Sequence, residues 1–515
     1  MKKSGSFTFQ DLRRIRTLGL SRRDVEKQLA LYEKGPAFLS LVRPCLPGDG
    51  MVSLAPGMRK TLLARYEADA ARYRLLKFVP ASGAASRMFA AWYAAAAKGG
   101  FGSASADAAF YKKLKKMPFA AFLARNPAVR DDLKKRHTAG LLDYVLSARG
   151  LQYGELPKAL IPFHAYPEGE IRTAIEEHLV EAAGCVRDAR GKCRIHVTLS
   201  PEHVEAVRAK IKAVKACYEK RFNVRYAVDY SVQAPQTSRI AVDERGHPFR
   251  SGDGQLVFRP GGHGALLENL GALEADLIFV KNIDNIVPEP LWEKVLPYKK
   301  MLGGLAMDIL QRVFTMLREL EAKAISGADL DQCAAYCRRV LCRVFPAGFD
   351  GFSSARKRKT LFSALNRPLR VCAVVRNEGE PGGGPFWVEG GDGTQTLQIV
   401  ESAHVDPDDA RQQEIWRQAA YFNPVDMVCC IRDFKGQVFN LKKFVDEKAY
   451  LISAKTEKGR RLLAQELPGL WNGAMAYWNT VFVEMPIATF NPVKTADDLL
   501  RPQHQAAGGK KSVKA

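Results

Sequence analysis

The 515-residue sequence predicts an α/β fold built on a parallel-rich sheet, and three observations carry that expectation. Short apolar runs alternate with helix-like stretches between residues 75 and about 290. Several of those runs stop in small or polar residues, as strands do where a ligand meets the carboxyl edge of an open sheet. Hydrophobic residues make up 47% and charged ones 26%, the balance of a chain that buries a large core, and this length suits two or three domains.

Residues 1–74 read as a helical segment, in which "SRRDVEKQLALYEKG" opens on a Ser21 cap and stops at Gly35. Residues 75–310 read as the α/β core. Its first unit is "RLLKFVPASGAASRMFAAWYAAAA", a strand to Pro80, a small-residue loop and an alanine-rich helix. Residues 98–150 are charged and helix-like, an insertion. "ELPKALIPFHAY" gives a second strand and loop, and "CRIHVTLSPEHVEAVRAKIKAVKACYEKRF" a strand followed by a helix that starts at Ser200 and Pro201. "ADLIFVKNIDNIV" is an apolar strand with a polar end. Residues 311–369 return to helix. Residues 370–500 hold further strand-like runs, "RVCAVVRNEG", "TLQIVESAHV" and "TVFVEMPIATF", and residues 501–515 read as a disordered tail.

The bulk numbers narrow the function. No apolar run is long enough to cross a bilayer, and the start lacks the apolar stretch of a signal peptide, so a cytoplasmic protein is expected, without membrane partners. Ten cysteines fall without a CxxC pair, which argues against a zinc ribbon or a thioredoxin-type centre. The net charge of +23 favours anionic partners. That excess is spread along the chain with no RNP signature, zinc knuckle or basic-aromatic stripe, so phosphorylated small molecules are the expected partners and nucleic acid is not.

Four stretches suit such ligands. In "PASGAASRM" the residues Ser82, Gly83, Ala84, Ala85 and Ser86 are small enough for their amides to face a phosphate, with Arg87 adding charge; a tight strand-to-helix turn explains them equally well. Lys158 follows a proline and precedes an apolar run, where a strand end would present a compact charge. Asp284, flanked by Asn282 and Asn285, sits where a carboxylate would meet Mg²⁺ and phosphate oxygens. Lys494 is aimed by the stiff Pro492. The three glycines around His263, in "RPGGHGALLENL", permit close backbone approach and read as a binding loop.

In this order these motifs resemble those of the uridylyl-transferring sugar pyrophosphorylases, the UDP-glucose and UDP-N-acetylhexosamine enzymes. "RPGGHG" is similar to their P-x-G-H-G loop and "FNPVKTADDLL" to their F-x-P-V-K-T-x-x-D-L-L segment. The whole chain also resembles a bacterial family of unknown function related to that superfamily. The resemblance implies a glycosyltransferase-A-like (Rossmann-like) nucleotidyltransferase core with a mostly parallel mixed sheet, helical insertions and a C-terminal strand-containing region. It implies transfer of UMP from UTP to a sugar 1-phosphate, with Mg²⁺ as cofactor. Residues Ser82 to Ser86 would hold the triphosphate, and Arg87, Lys158 and Lys494 would neutralise charge during transfer. Gln233 would read the base, while Gly261, Gly262 and His263 would lie against the nucleotide. Asp284 would bind the metal, and Glu401 and Asn285 the sugar. The departure of "ASGAASR" from the glycine-rich first loop of these enzymes leaves a second expectation: a protein of the same fold that binds nucleotide sugars or phosphates without turnover.

Overall fold

In the computed structural model, residues 7–505 are described, apart from 84, 323–324 and 381. Ala84 and the end of the expected tail therefore lie outside the described residues. The fold is mixed α/β, and the chain forms two compact units, each drawing on separate stretches of sequence. Residues 63–232, 278–301 and 486–515 make one unit; residues 1–62, 233–277 and 302–485 make the other.

The first of these holds strands in the order Leu277–Lys281, Leu75–Pro80, Lys192–Leu199 and Arg225–Val232, with Leu75–Pro80 parallel to Lys192–Leu199 and that strand parallel to Arg225–Val232. Helices Ala174–Cys185 and Val204–Phe222 form the crossovers that parallel pairing requires. Leu75–Pro80 and Leu277–Lys281 are buried throughout, as strands covered on both faces must be. Between residues 98 and 150 lie helices Ala104–Leu114, Ala120–Arg125, Pro127–Lys135 and Thr138–Leu146. An aromatic cluster ties them to the strand-loop-helix unit: Trp92 meets Phe89 and Phe110 edge-on, and Tyr153 meets Phe119.

In the other unit, Leu369–Arg376 runs parallel to Asn479–Glu484 and antiparallel to Asp426–Cys430. Two smaller antiparallel sheets accompany it, one pairing Ser40–Pro44, Gly384–Glu389 and Gln395–Val400, the other pairing Phe258–Arg259, Arg239–Val242, Arg460–Glu466 and Leu451–Glu457. The helix expected after Ser21 spans Arg22–Lys34, with the serine and Asp24 forming a capping box and Gly35 ending it at φ +73°. The N-terminal 74 residues are not wholly helical, however. Ser40–Pro44, Leu46–Pro47 and Gly50–Val52 are strands, two of them recruited by partners more than 300 residues downstream, Gly384–Glu389 and Asn479–Glu484. No local pattern in so short a run signals such pairing.

Candidate functional site

Two groups of the expected residues are each assembled within one unit. In the first, Asp284 follows the apolar strand Leu277–Lys281 and is 8% exposed. Its Oδ2 accepts a 2.8 Å bond from Lys158 Nζ, and Lys494 Nζ lies 3.1 Å from the same oxygen and 3.3 Å from Oδ1. Burial pushes the Asp284 carboxyl up, but the Lys158 and Lys494 charges and hydrogen bonds more than offset this and hold it below its ordinary value. The two lysines differ in freedom. Lys158 is buried and also donates to Val493 O at 2.9 Å, whereas the Lys494 side chain is 46% exposed.

Backbone bonds bring these distant residues together. Val493 N donates to Asp284 O, Lys158 N to Gly83 O, Ala85 N to Leu156 O and Ala496 N to Met88 O. The small-residue loop, the Lys158 segment and the Lys494 segment are thus neighbours, although the helical insertion separates the first two in sequence. Thr495 and Asp498 form a capping box whose carboxylate also accepts from Lys494 N, which fixes the backbone from which that side chain projects.

The loop itself departs from expectation in one respect. A 3₁₀ turn, Ala85–Arg87, intervenes before the helix Ala90–Ala96, so the loop amides are not the first amides of that helix. Ala85 is buried with its N–H given to Leu156, while Gly83, Ser86 and Arg87 are exposed and Ser82 half-buried. Asn285 is 1% exposed, and its Oδ1 accepts from Asn491 N at 3.1 Å; it fastens the segment that carries Lys494.

Beneath Asp284 lies a group that the sequence reading missed. Glu181, on helix Ala174–Cys185, is fully buried with Lys77 Nζ and Lys281 Nζ each 2.8 Å from its carboxylate and Lys299 Nζ at 3.5 Å. His178, one turn earlier, bonds Ile283 O at 3.2 Å. The helix therefore holds both the end of the strand and the residue before Asp284. A lysine at position 77 or 281 within an apolar strand was the available signal, since a buried ammonium demands a partner.

The second group is chemically different. His263 stacks on Trp471 with ring centroids 4.0 Å apart, and its Nδ1 accepts from Leu470 N at 2.9 Å, so Nε2 carries the proton. Burial lowers the His263 pKa to about 4, against the opposing pull of Glu466. Glu401 is half-buried and hydrogen-bonded to Asn472 and Trp471; burial pushes its carboxyl up, and the Glu466 charge adds to this. Gln233 donates to Thr237 Oγ1 at 3.1 Å.

The glycines around His263 serve the protein's own packing. A Cβ on Gly261 would strike the Thr237 carbonyl oxygen, and one on Gly264 the Pro468 carbonyl. Gly262 takes φ +73°, and a Cβ there would lie 2.8 Å from a Glu466 carboxylate oxygen. This loop follows a two-residue strand of an antiparallel sheet, Phe258–Arg259. Glu466, Trp471 and Asn472, which complete the group, were missed by sequence reading; "ELPGLWNG" carried the signal of a glycine beside an exposed-type tryptophan and asparagine.

Among the described residues, no three His, Cys, Asp or Glu side chains converge as a metal cage. Mg²⁺ commonly takes one or two carboxylates and completes its shell with phosphate oxygens and water, and Asp284 alone fits that lesser role. No described helix is long and apolar enough to cross a membrane.

Compared with solved structures, the chain is similar to a UDP-N-acetylglucosamine pyrophosphorylase from Trypanosoma brucei, at 12% identity over 93% of this chain and 74% of that one, with a TM-score of 0.48. It is also similar to a UDP-glucose pyrophosphorylase from Leishmania major, at 13% identity over 96% and 79%, with a TM-score of 0.45. No curated protein matches it. Residues 8–505 match a single family along nearly their whole length, and the chain belongs to that family, described as a domain of unknown function, DUF4301.

Proposed function

We propose that this protein is a nucleotidyltransferase that moves a nucleoside monophosphate, UMP from UTP, onto a sugar 1-phosphate and releases pyrophosphate. The observation that carries the reading is Asp284 at a strand end, held between the ammonium groups of Lys158 and Lys494. Strand ends of open α/β sheets are where ligands bind, and two lysines around one carboxylate make a site that can exchange internal ion pairs for phosphate oxygens.

The reaction needs no covalent bond to the protein. An oxygen of the sugar 1-phosphate attacks the α-phosphorus, a new P–O bond forms in line with the bond that breaks, and the electron pair leaves with pyrophosphate. Lys494, half-exposed, turns from Asp284 toward the phosphates. Lys158 stays anchored on Val493 O and presents a fixed charge at Asp284, while its backbone N–H holds the Gly83 carbonyl of the loop. Arg87, exposed on the turn after the loop, adds a third cation to the triphosphate side. Such fixed charges act where negative charge accumulates and cost little reorganisation. Mg²⁺, carried in on the nucleotide and held by Asp284, would supply further neutralisation of the phosphate oxygens. For the group in the other unit, Gln233, the half-buried Gly262, His263 and Glu401, we propose recognition of a base or sugar, with Glu401 accepting from hydroxyls.

The alternative, a phosphate- or nucleotide-sugar-binding protein without turnover, is favoured by one observation: Ala85 gives its amide to Leu156, which leaves the loop fewer free donors. Pyrophosphate release from each NTP with a panel of sugar 1-phosphates separates the two. Release that needs one NTP and one sugar phosphate supports transfer; nucleotide binding with no release across the panel supports the alternative.

A further inference from the structure

A cavity of about 730 Å³ lies wholly within the unit that contains residues 302–485, in the size range of small-molecule sites. Arg343, Arg367 and Lys443 line it together with Phe362, Phe444 and Tyr477. None of the residues assigned above to nucleotide or sugar is among its walls. Its position explains why. Asn366 and Arg367 precede strand Leu369–Arg376, and Tyr477 precedes the parallel strand Asn479–Glu484, so the cavity opens at the amino ends of these strands. Thr394 and Thr396 stand at the start of strand Gln395–Val400, whereas Glu401 follows its far end, about 17 Å away at a strand's rise per residue.

The cations there are poorly matched by the protein. Arg343 is only 8% exposed, yet among the described residues its Nε has no hydrogen-bond partner and its one side-chain bond is a 3.5 Å contact from Nη2 to Asn479 Oδ1. Arg367 gives Nε to Ser363 O and Nη1 to Tyr477 O, which leaves its remaining donors unused. The buried Asn366 Oδ1 also lacks a partner. Among the described residues that line the cavity the one carboxylate is Asp392, and it is already engaged by the Thr394 backbone N–H and hydroxyl at 3.0 and 2.6 Å. Burial lowers the Arg343 pKa to about 10, with the Arg367 charge adding to the effect. A buried guanidinium facing another one is costly unless an anion completes the site.

We propose that this cavity is a second ligand site, for the phosphate monoester of a hydroxyl-bearing, ring-containing compound. The phosphate sits between Arg343 and Arg367 with Lys443 at the mouth, the ring lies against Phe362, Phe444 or Tyr477, and Thr394, Thr396 and Gln398 meet its hydroxyls. A planar guanidinium can donate two parallel N–H bonds to two oxygens of one phosphate, as an ammonium cannot. The site is independent of the transfer reaction proposed above.

Isothermal titration of the full chain with inorganic phosphate, glucose 1-phosphate and UMP tests this. One of the two esters should bind more tightly than inorganic phosphate, and Arg343→Gln and Arg367→Gln should each weaken that binding about tenfold. Lys443→Gln, an exposed change, should weaken it severalfold. Equal affinity for inorganic phosphate would overturn the assignment of an organic ester. Binding indifferent to Arg343, Arg367 and Lys443 would overturn the site itself. Loss of pyrophosphate release across all substrates with this binding intact would refute the proposed reaction and leave the second site standing.

Discussion

The Lys158–Asp284–Lys494 group and the His263–Glu401 group are built on opposite physical terms. The first is an ion triad at the end of a strand, held by charge and made of residues whose types alone announce their chemistry. The second is a stacked, uncharged imidazole against an indole, packed through glycines that admit no side chain. Charged groups buried at a strand end exist at a desolvation cost that only a partner or a ligand offsets. Close-packed neutral groups incur little of that cost, so their presence says less about function and more about shape. That cost is why the proposed function takes Asp284 as its reacting centre.

Substitutions sharpen that contrast, and the largest effect belongs to the ion triad. Lys494→Gln should cut pyrophosphate release about 100-fold or more while the midpoint of urea unfolding stays put, because the side chain is half-exposed. Asp284→Asn should abolish release as well, but it also strands the buried Lys158 ammonium and should lower stability, so it must be read beside Lys494→Gln. A Lys494 variant with undiminished turnover would break the comparison.

Next comes the support beneath the triad. Glu181→Gln removes a carboxylate that three buried lysines share and should cost about 3–5 kcal/mol in denaturant unfolding. A change below about 1 kcal/mol would mean that these lysines have other counter-charges.

The neutral group predicts a pH effect of smaller size. The folded-state pKa of His263, about 4, lies below the ordinary 6.5, so the unfolded chain binds more protons between those values. The stability from a neutral His263 is thus full above pH 6.5 and declines as pH falls toward 4. His263→Gln should remove about 2 kcal/mol of that decline, seen as a flatter stability profile across this window. A profile identical to wild type would place the imidazole in water.

The smallest effects concern glycines. Gly83→Ala meets no atom within 4 Å, so stability should change by less than about 0.5 kcal/mol, and any fall in turnover reports a ligand approaching that backbone. Gly264→Ala should do the reverse, with a loss of stability larger than its effect on the catalytic step, because its Cβ would collide with the Pro468 carbonyl. Equal stability losses at both positions would erase the distinction between an open loop and a packed one.

The two groups were unequally legible for the same physical reason. Asp284 could be found because an apolar run that ends in a carboxylate is a local pattern, and Lys158 and Lys494 because prolines fix the chain beside them. Strand and helix alternation through residues 192–232 was readable from periodicity, and the structure follows it. The discontinuous units were not readable, because pairing of Gly50–Val52 with Asn479–Glu484 is a long-range contact that no short window encodes. Nor was the partnership of His263 with Trp471, which depends on two strands of an antiparallel sheet bringing separate loops together. For the glycines of that loop the structure adds one thing the sequence did not show: at Gly261 and Gly264 the groups in close approach are the Thr237 and Pro468 carbonyls of the chain itself.

The most direct test of the central claim is pyrophosphate release with Mg²⁺ from UTP and the other three NTPs against a panel of sugar 1-phosphates, with Lys494→Gln run in parallel. Release that requires UTP and one sugar phosphate, and falls about 100-fold in the variant without loss of folding, is the predicted result. Release that persists unchanged in the variant, or none from any pair while UTP still binds, would contradict it.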